Sequence, residues 1–345
     1  MKSRYGAAGW YRPARVPHGR EPSQNGVRRT PVTSHEEPVV DVAVVTWNTA
    51  ELTASALRHL FDSDQGARVR ALVHDNASND GTVDVLARLV PEADVERGSA
   101  NTGFASGVNR ILARSTAAWV FVLNSDAWPE PGAIGRLVEV ASRHPRAAVV
   151  APRIERPDGT LEHSTHPFPS VRLAWLLATQ GSRIPAARAE ELMLEGSWNH
   201  DRPRRVDWAV GAALLMRRSA IDDVGGFDER FFMYTEDVEW AWRARKRGWE
   251  VLFEPSAVVR HVGNASGVKR YGGARTRAYL KNTYRFFARE HGPAQTLAYR
   301  TANLVGCLRL YRRAKRAGDA ERSRFWRDHI LAALTPALGR DRPPG

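Results

Sequence analysis

Three short β-branched runs, each cut off by a polar cluster and two of them followed by apolar residues at helical spacing, constrain the fold of this chain more than any other feature. Residues 39–47 (VVDVAVVTW) lead into Asn48 and Thr49, then into Leu52, Ala56, Leu57 and Leu60. Residues 69–74 (VRALVH) lead into a polar turn over 75–81, after which Val83, Leu86 and Val90 mark a second helix. Residues 119–123 (WVFVL) stop abruptly at Asn124, Ser125 and Asp126. Strands alternating with helices predict an α/β fold with a mostly parallel sheet and flanking helices on both faces. Ligands of such sheets gather at the carboxyl ends of the strands. The three polar clusters are therefore expected to converge at one rim.

Further along, residues 206–218 (VDWAVGAALLMRR) read as strand-like sequence interrupted by Gly211, and residues 249–253 as one more short strand. The segment EDVEWAWRARKRG reads as a helix, with Thr235 as its N-cap and Gly248 as its stop. Beyond residue 270 the chain is basic and helical, and Tyr279, Tyr284, Phe286 and Phe287 supply an aromatic face.

With 345 residues, 43% of them hydrophobic and 26% charged, the chain can bury a core, and one catalytic unit with tails is expected. Cys307 is the single cysteine, which excludes an intramolecular disulfide and a cysteine-based zinc site and fits a reducing cytoplasm. The formal charge of +13 is unevenly spread: +4 over residues 1–38, −4 over 39–268 and +13 over 269–345. A slightly acidic middle between basic ends suggests that the ends meet something anionic. A lipid headgroup surface or a lipid-linked diphosphate serves as well as nucleic acid, and solvated basic helices serve equally. No stretch reaches the ~18 to 20 uncharged apolar residues of a membrane span, and the N-terminus lacks the apolar run of a secretory signal. The expected location is the cytoplasm, with the basic end at the inner face of the cell membrane. Residues 1–36 read as a disordered basic leader, 37–268 as the catalytic domain and 269–345 as a basic helical C-terminal extension.

Each polar cluster offers a chemistry. A carboxylate directly after a buried strand, at Asp75, can accept the imide N–H of a uracil or thymine ring, although Ser, Asn, Asp and Gly also make ordinary capping turns. Asp126, at the end of the third run, can hold Mg2+ or Mn2+, hard cations that take oxygen ligands and bridge phosphates; an ordinary strand-end turn accounts for the local sequence equally well. Glu236 and Asp237 open a helix straight after Phe231, Phe232, Met233 and Tyr234. A helix N-terminus favours an ionised carboxylate, the starting state of a general base, and two adjacent acids raise one another's pKa. Simple dipole capping explains the same pair.

The order of motifs says more than any one of them. The segments VAVVTWN, HDNASNDGT, NTGFASGVN, VFVLNSDAWPEP, VDWAVGAALLMRR, GGFDERFFMYTEDVEWAWRARKRGW and RHVGNASG cover roughly residues 39–268. In that order they resemble family 2 glycosyltransferases of the GT-A fold, especially a bacterial rhamnosyltransferase-like branch. The resemblance implies a Rossmann-like GT-A core and a metal-dependent, inverting transfer of a sugar, rhamnose among the candidates. The implied donor is a dTDP- or UDP-linked sugar, and the acceptor a glycan or polyprenyl-linked hydroxyl in cell-envelope polysaccharide synthesis, with no nucleic acid involved.

By the same resemblance, Thr46, Asn48, Asp75 and Asn76 serve the nucleobase and donor. Asn101, Gly103, Asn109 and Ser125 shape the donor pocket, and Gly211 lets the backbone approach the sugar. Asp126 and His261 hold Mg2+ or Mn2+. Asp237 is the catalytic base, with Glu236 beside it orienting a substrate, and Trp208 and Trp240 wall the acceptor side by stacking on a pyranose. Many GT-A enzymes carry an acid two positions before the metal-binding Asp, where this chain has Asn124, so weak metal binding without substrate is expected. Two other classes compete. A sugar-phosphate nucleotidyltransferase usually begins with a glycine-rich, basic phosphate loop, and VAVVTWNTAELTAS contains neither Gly nor Lys. A non-catalytic protein that binds anionic surfaces through its basic tail predicts salt-sensitive binding that survives deletion of residues 39–268.

Overall fold

The computed structural model describes residues 39–263 and 275–335. The expected leader over 1–36 and the segment 264–274 lie outside the described residues. The chain begins β1 (Val39–Thr46), α1 (Ala50–Asp62), β2 (Arg68–Asp75), α2 (Thr82–Leu89), β3 (Asp94–Arg97), α3 (Phe104–Arg114) and β4 (Trp119–Asn124). It continues through β5 (Ala127–Pro129), α4 (Ala133–Arg143), β6 (Ala147–Glu155), β7 (Leu161–Glu162), β8 (Thr165–His166), α5 (Val171–Thr179) and α6 (Ala186–Glu191). Then follow β9 (Arg204–Val206), β10 (Trp208–Ala209), β11 (Ala213–Arg217), α7 (Arg218–Val224), α8 (Glu236–Lys246), β12 (Glu250–His261), α9 (Arg275–Arg316) and α10 (Ala320–Leu334).

The main sheet has the order β3-β2-β1-β4-β11-β6-β12-β5. Strands β3, β2, β1 and β4 are parallel, as the strand–helix alternation predicts, and β12 is parallel to β6. β11 enters antiparallel between β4 and β6. Period-two alternation places the strand residues on two separate cores. Val40, Val42 and Val44 face one side with Ala71, Val73, Phe121 and Leu123, where α1, α2 and α4 deliver Leu57, Leu60, Leu86 and Leu137. Ala43, Val45, Leu72, Val120 and Val122 face the other, under α3, α7 and α8, which supply Val108, Ile111, Ile221, Val238 and Trp240. Both faces being covered is why these strands read as continuous apolar runs.

The C-terminal helices are attached firmly. Phe286 of α9 is fully buried in the second of these cores. Trp242 Nε1 donates to Glu290 Oε2 at 2.9 Å, and Lys246 Nζ lies 2.6 Å from the same oxygen. Helix α9 kinks at Gly292, whose φ of 75° precedes Pro293, and folds against α10 and α5. Among the described residues no helix is long and apolar enough to cross a membrane.

Candidate active site

β1, β2 and β4 end side by side: Thr46 pairs in register with Asp75, and Val45 with Asn124. The polar clusters do converge at one rim. There a cavity of about 730 Å³ opens, within the range of small-ligand sites. Thr46, Asn76, Asn101, Gly103, Ser125 and Asp126 line one part of it; Trp208, Gly211, Glu236, Asp237 and His261 line another. Thr46 Oγ1 lies 2.9 Å from both the Thr49 and the Thr53 hydroxyls, and Thr49 Oγ1 lies 3.3 Å from Ser125 Oγ, so buried hydroxyls tie β1 to the end of β4. Asn76 Nδ2 donates to Gly103 O at 3.1 Å, and Asn101 Oδ1 accepts from Gly103 N at 3.0 Å. Gly103 has φ 92°, and a Cβ there would lie 2.3 Å from the Phe232 carbonyl oxygen. Only glycine allows the loop before α8 to come this close, and the Phe104 N–H seals the approach by donating to that same oxygen at 2.8 Å.

Asp237 sits in the first turn of α8, held by two backbone donors. The Gly211 N–H donates to Oδ2 at 2.9 Å and the Val238 N–H to Oδ1 at 2.8 Å. A Cβ on Gly211 would make only an ordinary 3.6 Å contact with Oδ2. The role visible for Gly211 is thus to anchor Asp237 through its N–H. Burial pushes the Asp237 pKa up to about 6, against the pull of the Gly211 and Val238 N–H groups. Glu236 is buried, and its Oε2 has no hydrogen-bond partner among the described residues. Burial first, and the Asp237 charge second, raise its pKa well above the ordinary carboxyl value. The turn before them is strained: Tyr234 and Thr235 both take left-handed φ, 73° and 77°, rare for non-glycine residues and common at functional sites. Thr235 does occupy the N-cap, but in this conformation its side chain makes no cap hydrogen bond, and Oγ1 is buried without a partner among the described residues. Asn282 of α9, fully buried, holds the turn by donating to the carbonyls of Met233 at 3.0 Å and Tyr234 at 3.3 Å.

Across the cavity, Asp126 Oδ1 lies 3.3 Å from His261 Nε2, and Glu162 Oε2 lies 3.1 Å from His261 Nδ1. Burial lowers the His261 pKa, but the hydrogen bonds and charges of Asp126 and Glu162 outweigh it and push the value up to about 9. A carboxylate behind the far ring nitrogen is the arrangement that fixes the tautomer and orientation of metal-binding histidines. One carboxylate, and one imidazole that gives up its extra proton on binding, suit a cation that completes its shell with substrate phosphates and water. No group of three or more His, Cys, Asp or Glu able to hold an ion by itself occurs among the described residues.

Four expected site residues have other surroundings. Trp240 is 2% exposed in the core and donates Nε1 to Gly225 O at 2.7 Å, so it walls no substrate: its helical face points inward, toward the sheet. Asn109 is occupied with the 225–230 loop, giving Nδ2 to Phe227 O at 2.8 Å and taking the Phe227 N–H on Oδ1 at 2.8 Å. Asn48, with φ 53°, locks the two strand-end loops together, its N–H donating to Ser78 Oγ and its Oδ1 accepting from Asn79 N, each at 2.8 Å. Asp75 stands at the rim but is fully buried: Oδ2 accepts from Ser78 N at 3.0 Å, while Oδ1 has no partner among the described residues. None of the four lines the cavity. Conversely, Arg156, Glu162, His163, Trp198 and Tyr279 line it without having been singled out for the site. They lie outside the regular strand–loop–helix pattern, on the segment between β6 and β9 and on α9, where no local periodicity marks a pocket.

The chain matches Glycosyl transferase family 2 over residues 41–225. It is 36% identical over 241 residues, 65% of this chain and 76% of the relative, to the N-acetylglucosaminyl-diphospho-decaprenol L-rhamnosyltransferase of Mycobacterium tuberculosis. It is 30% identical over 248 residues, 72% of this chain and 46% of the relative, to the pre-mycofactocin glycosyltransferase of the same organism. In fold it is similar to the mannosyltransferase PcManGT from Pyrobaculum calidifontis, solved with GDP-Man and Mn2+, with TM-score 0.54 and 16% identity over 89% of this chain and 88% of that one. GalNAc-T7, solved with UDP, GalNAc and Mn2+, follows with TM-score 0.53 and 15% identity over 87% and 56%. A family match over more than half of the chain, on a GT-A framework whose strand ends form one pocket, places this protein in glycosyltransferase family 2 as a glycosyltransferase of the rhamnosyltransferase-like kind.

Proposed function

We propose that the protein transfers a deoxyhexose such as rhamnose, with inversion, from a dTDP- or UDP-linked donor to a hydroxyl of a lipid-linked sugar in cell-envelope synthesis. The observation that carries this reading is Asp237: a carboxylate fixed by two backbone N–H donors, with a pKa near neutrality, in the same cavity as Asp126 and His261. Such a group is poised to take a proton at neutral pH. The acceptor hydroxyl gives its proton to Asp237 as its oxygen attacks the anomeric carbon from the face opposite the departing diphosphate. Thr46, Asn76 and Asn101 line the part of the cavity assigned to the nucleoside. Asp126 and His261 would hold Mg2+ or Mn2+, which supplies positive charge for the leaving diphosphate. Burial first, and the Asp237 charge second, raise the Glu236 pKa well above the ordinary carboxyl value, so a second negative charge beside the base is disfavoured.

The resemblance to a relative named for a diphospho-decaprenol substrate supports a lipid-linked acceptor. Exposed Trp175 and Leu177 on α5, Leu297 and Leu310 on α9, and Phe325 and Leu334 on α10 share three packed helices with a basic α9 terminus at Arg313, Lys315 and Arg316. Apolar and basic side chains together suit an anionic membrane surface. The test is transfer from dTDP-rhamnose and a panel of UDP-sugars to a GlcNAc-diphospho-lipid, with NMR of the product. An anomeric configuration inverted from the donor's is expected; retention, or no transfer with any donor, contradicts the reading.

A further inference from the structure

The cavity is short of fixed positive charge. Five carboxylates line it, those of Asp126, Glu162, Glu195, Glu236 and Asp237, against a single arginine, Arg156, and no lysine among the described residues. Arg156 follows β6 in a tight hairpin: its N–H donates to Thr160 O at 2.8 Å, and its carbonyl accepts the Gly159 N–H at 2.8 Å. β7 then pairs back on β6, Leu161 opposite Glu155 and Glu162 opposite Ile154. The backbone at Arg156 is thus held in place, at the rim of the cavity and next to the strand that carries Glu162.

The acids around Arg156 are engaged elsewhere. Glu155 takes Arg153 Nε on Oε1 at 2.6 Å and Arg260 Nη1 on Oε2 at 2.9 Å. Asp158 Oδ1, in the same hairpin, accepts the Thr160 N–H at 2.9 Å and the Thr160 hydroxyl at 2.7 Å. Glu162 faces His261. The Arg156 guanidinium makes no hydrogen bond or ion pair among the described residues, whereas those of Arg153 and Arg260 are both paired. A guanidinium stays charged at every accessible pH, and its planar fork of donors matches phosphate oxygens two at a time.

Arg156 also stands away from the nucleoside end. β1, β4 and β6 run the same way, because β1 is parallel to β4 and β11 is antiparallel to both β4 and β6, so all three end at one rim. In the order β1-β4-β11-β6 the end of β6 lies three strand spacings, roughly 14 Å, from that of β1, where Thr46 stands. Asp126 follows β4, and Gly211, which anchors Asp237, precedes β11, so Asp126 and the base lie between the two flanks. A cation at Asp126 and His261 would meet the diphosphate of the donor. The lipid-linked acceptor proposed for this site brings a second diphosphate into a cavity lined by carboxylates, and Arg156 is the one guanidinium there to receive it.

We propose that Arg156 forms a phosphate subsite that binds the diphosphate of the lipid-linked acceptor, separate from the cation that serves the donor. The assignment rests on the reading of the cavity as a glycosyl-transfer site with a lipid-linked acceptor. It is tested on the full-length protein by calorimetric titration with N-acetylglucosaminyl diphosphate bearing a ten-carbon alkyl chain, with the ten-carbon alkyl glycoside of N-acetylglucosamine, which lacks phosphate, and with dTDP and UDP plus Mn2+. The affinity of Arg156→Gln for the diphosphate probe should fall roughly tenfold, the scale of a charge-assisted hydrogen bond at a partly open site. Arg156→Lys should recover part of that loss, because it keeps the charge and gives up the fork. Affinities for the glycoside and the nucleotides should stay unchanged in both variants. The proposal is overturned if the wild type does not bind the diphosphate probe, if Arg156→Gln binds it as the wild type does, or if glycoside or nucleotide affinity falls in parallel. Should the diphosphate probe bind through Arg156 while no nucleotide-sugar supports transfer to it, the subsite stands and the proposed reaction falls. Transfer by Arg156→Gln at the wild-type acceptor KM would do the reverse, keeping the reaction and removing the subsite.

Discussion

Replacing Asp237 by Asn separates what this carboxylate does for the fold from what it does for the reaction. Each of its oxygens accepts one backbone N–H, from Gly211 at 2.9 Å and from Val238 at 2.8 Å. An amide keeps one oxygen and turns its NH2 toward the other donor, so one hydrogen bond is lost and one N–H is left facing a donor, at a cost of about 1 to 3 kcal/mol in stability. Loss of the proton acceptor should lower kcat by about 10²- to 10⁴-fold, which is too much for the modest structural change to explain. Donor binding should persist, so the donor KM moves little. The pH dependence gives a second handle. The pKa is raised from 3.8 to about 6, so wild-type turnover should fall as the pH drops below about 6 and the base takes up its proton. Folding responds in the opposite sense: a carboxyl with a raised folded-state pKa stabilises most below 3.8, and that contribution disappears as pH climbs through about 6. The variant should lack both dependences. Nucleoside diphosphate release measured from pH 5 to 8, alongside thermal melts at each pH, reads the two effects together. Turnover of Asp237→Asn within tenfold of wild type at pH 7.5 would refute the assignment of the base.

Glu236→Gln should retain kcat within about tenfold at pH 7, because the native carboxyl already holds its proton well above the usual range and an amide offers the same donor and acceptor pair; a loss comparable to that of Asp237→Asn would instead make Glu236 the base. Asn282→Ala removes the donor shared by the Met233 and Tyr234 carbonyls. It should cost about 1 to 3 kcal/mol in thermal unfolding and lower kcat, tying the C-terminal helix to the catalytic turn; an unchanged melt and an unchanged rate would deny that role. Gly103→Ala puts a methyl 2.3 Å from the Phe232 carbonyl at φ 92°, so a destabilisation of about 1 to 3 kcal/mol is expected in a denaturant titration, and a neutral result would show that the loop can withdraw.

Much of this was legible from sequence. The three strand–loop units announced a parallel sheet because strands buried on both faces must be apolar throughout, and Thr46, Asn76, Ser125 and Asp126 reach the cavity because they follow those strands. Side-chain direction was less accessible. Trp240 shares a helix with Asp237, yet three residues further round that helix it faces the core, and an indole reads the same in a wall and in an interior. Asn48 and Asn109 carry amides suited to a ligand, but spend them on loop backbone. His163 and Trp198 stayed hidden for a different reason: they line the cavity from the segment between β6 and β9, where the strands are only two residues long and leave no pattern. Thr235 announced a cap, and tertiary demands on the turn before Asp237 overrode its side-chain geometry.

The most direct test of the account is a crystal structure with Mn2+ and dTDP or UDP. The cation should sit about 2.1 Å from an Asp126 oxygen and touch the diphosphate, with the base lying toward Asn76 and Asp237 facing the vacant sugar position. A nucleotide bound elsewhere, for instance in the groove beside His59 and Trp128, or a metal remote from Asp126, would contradict it.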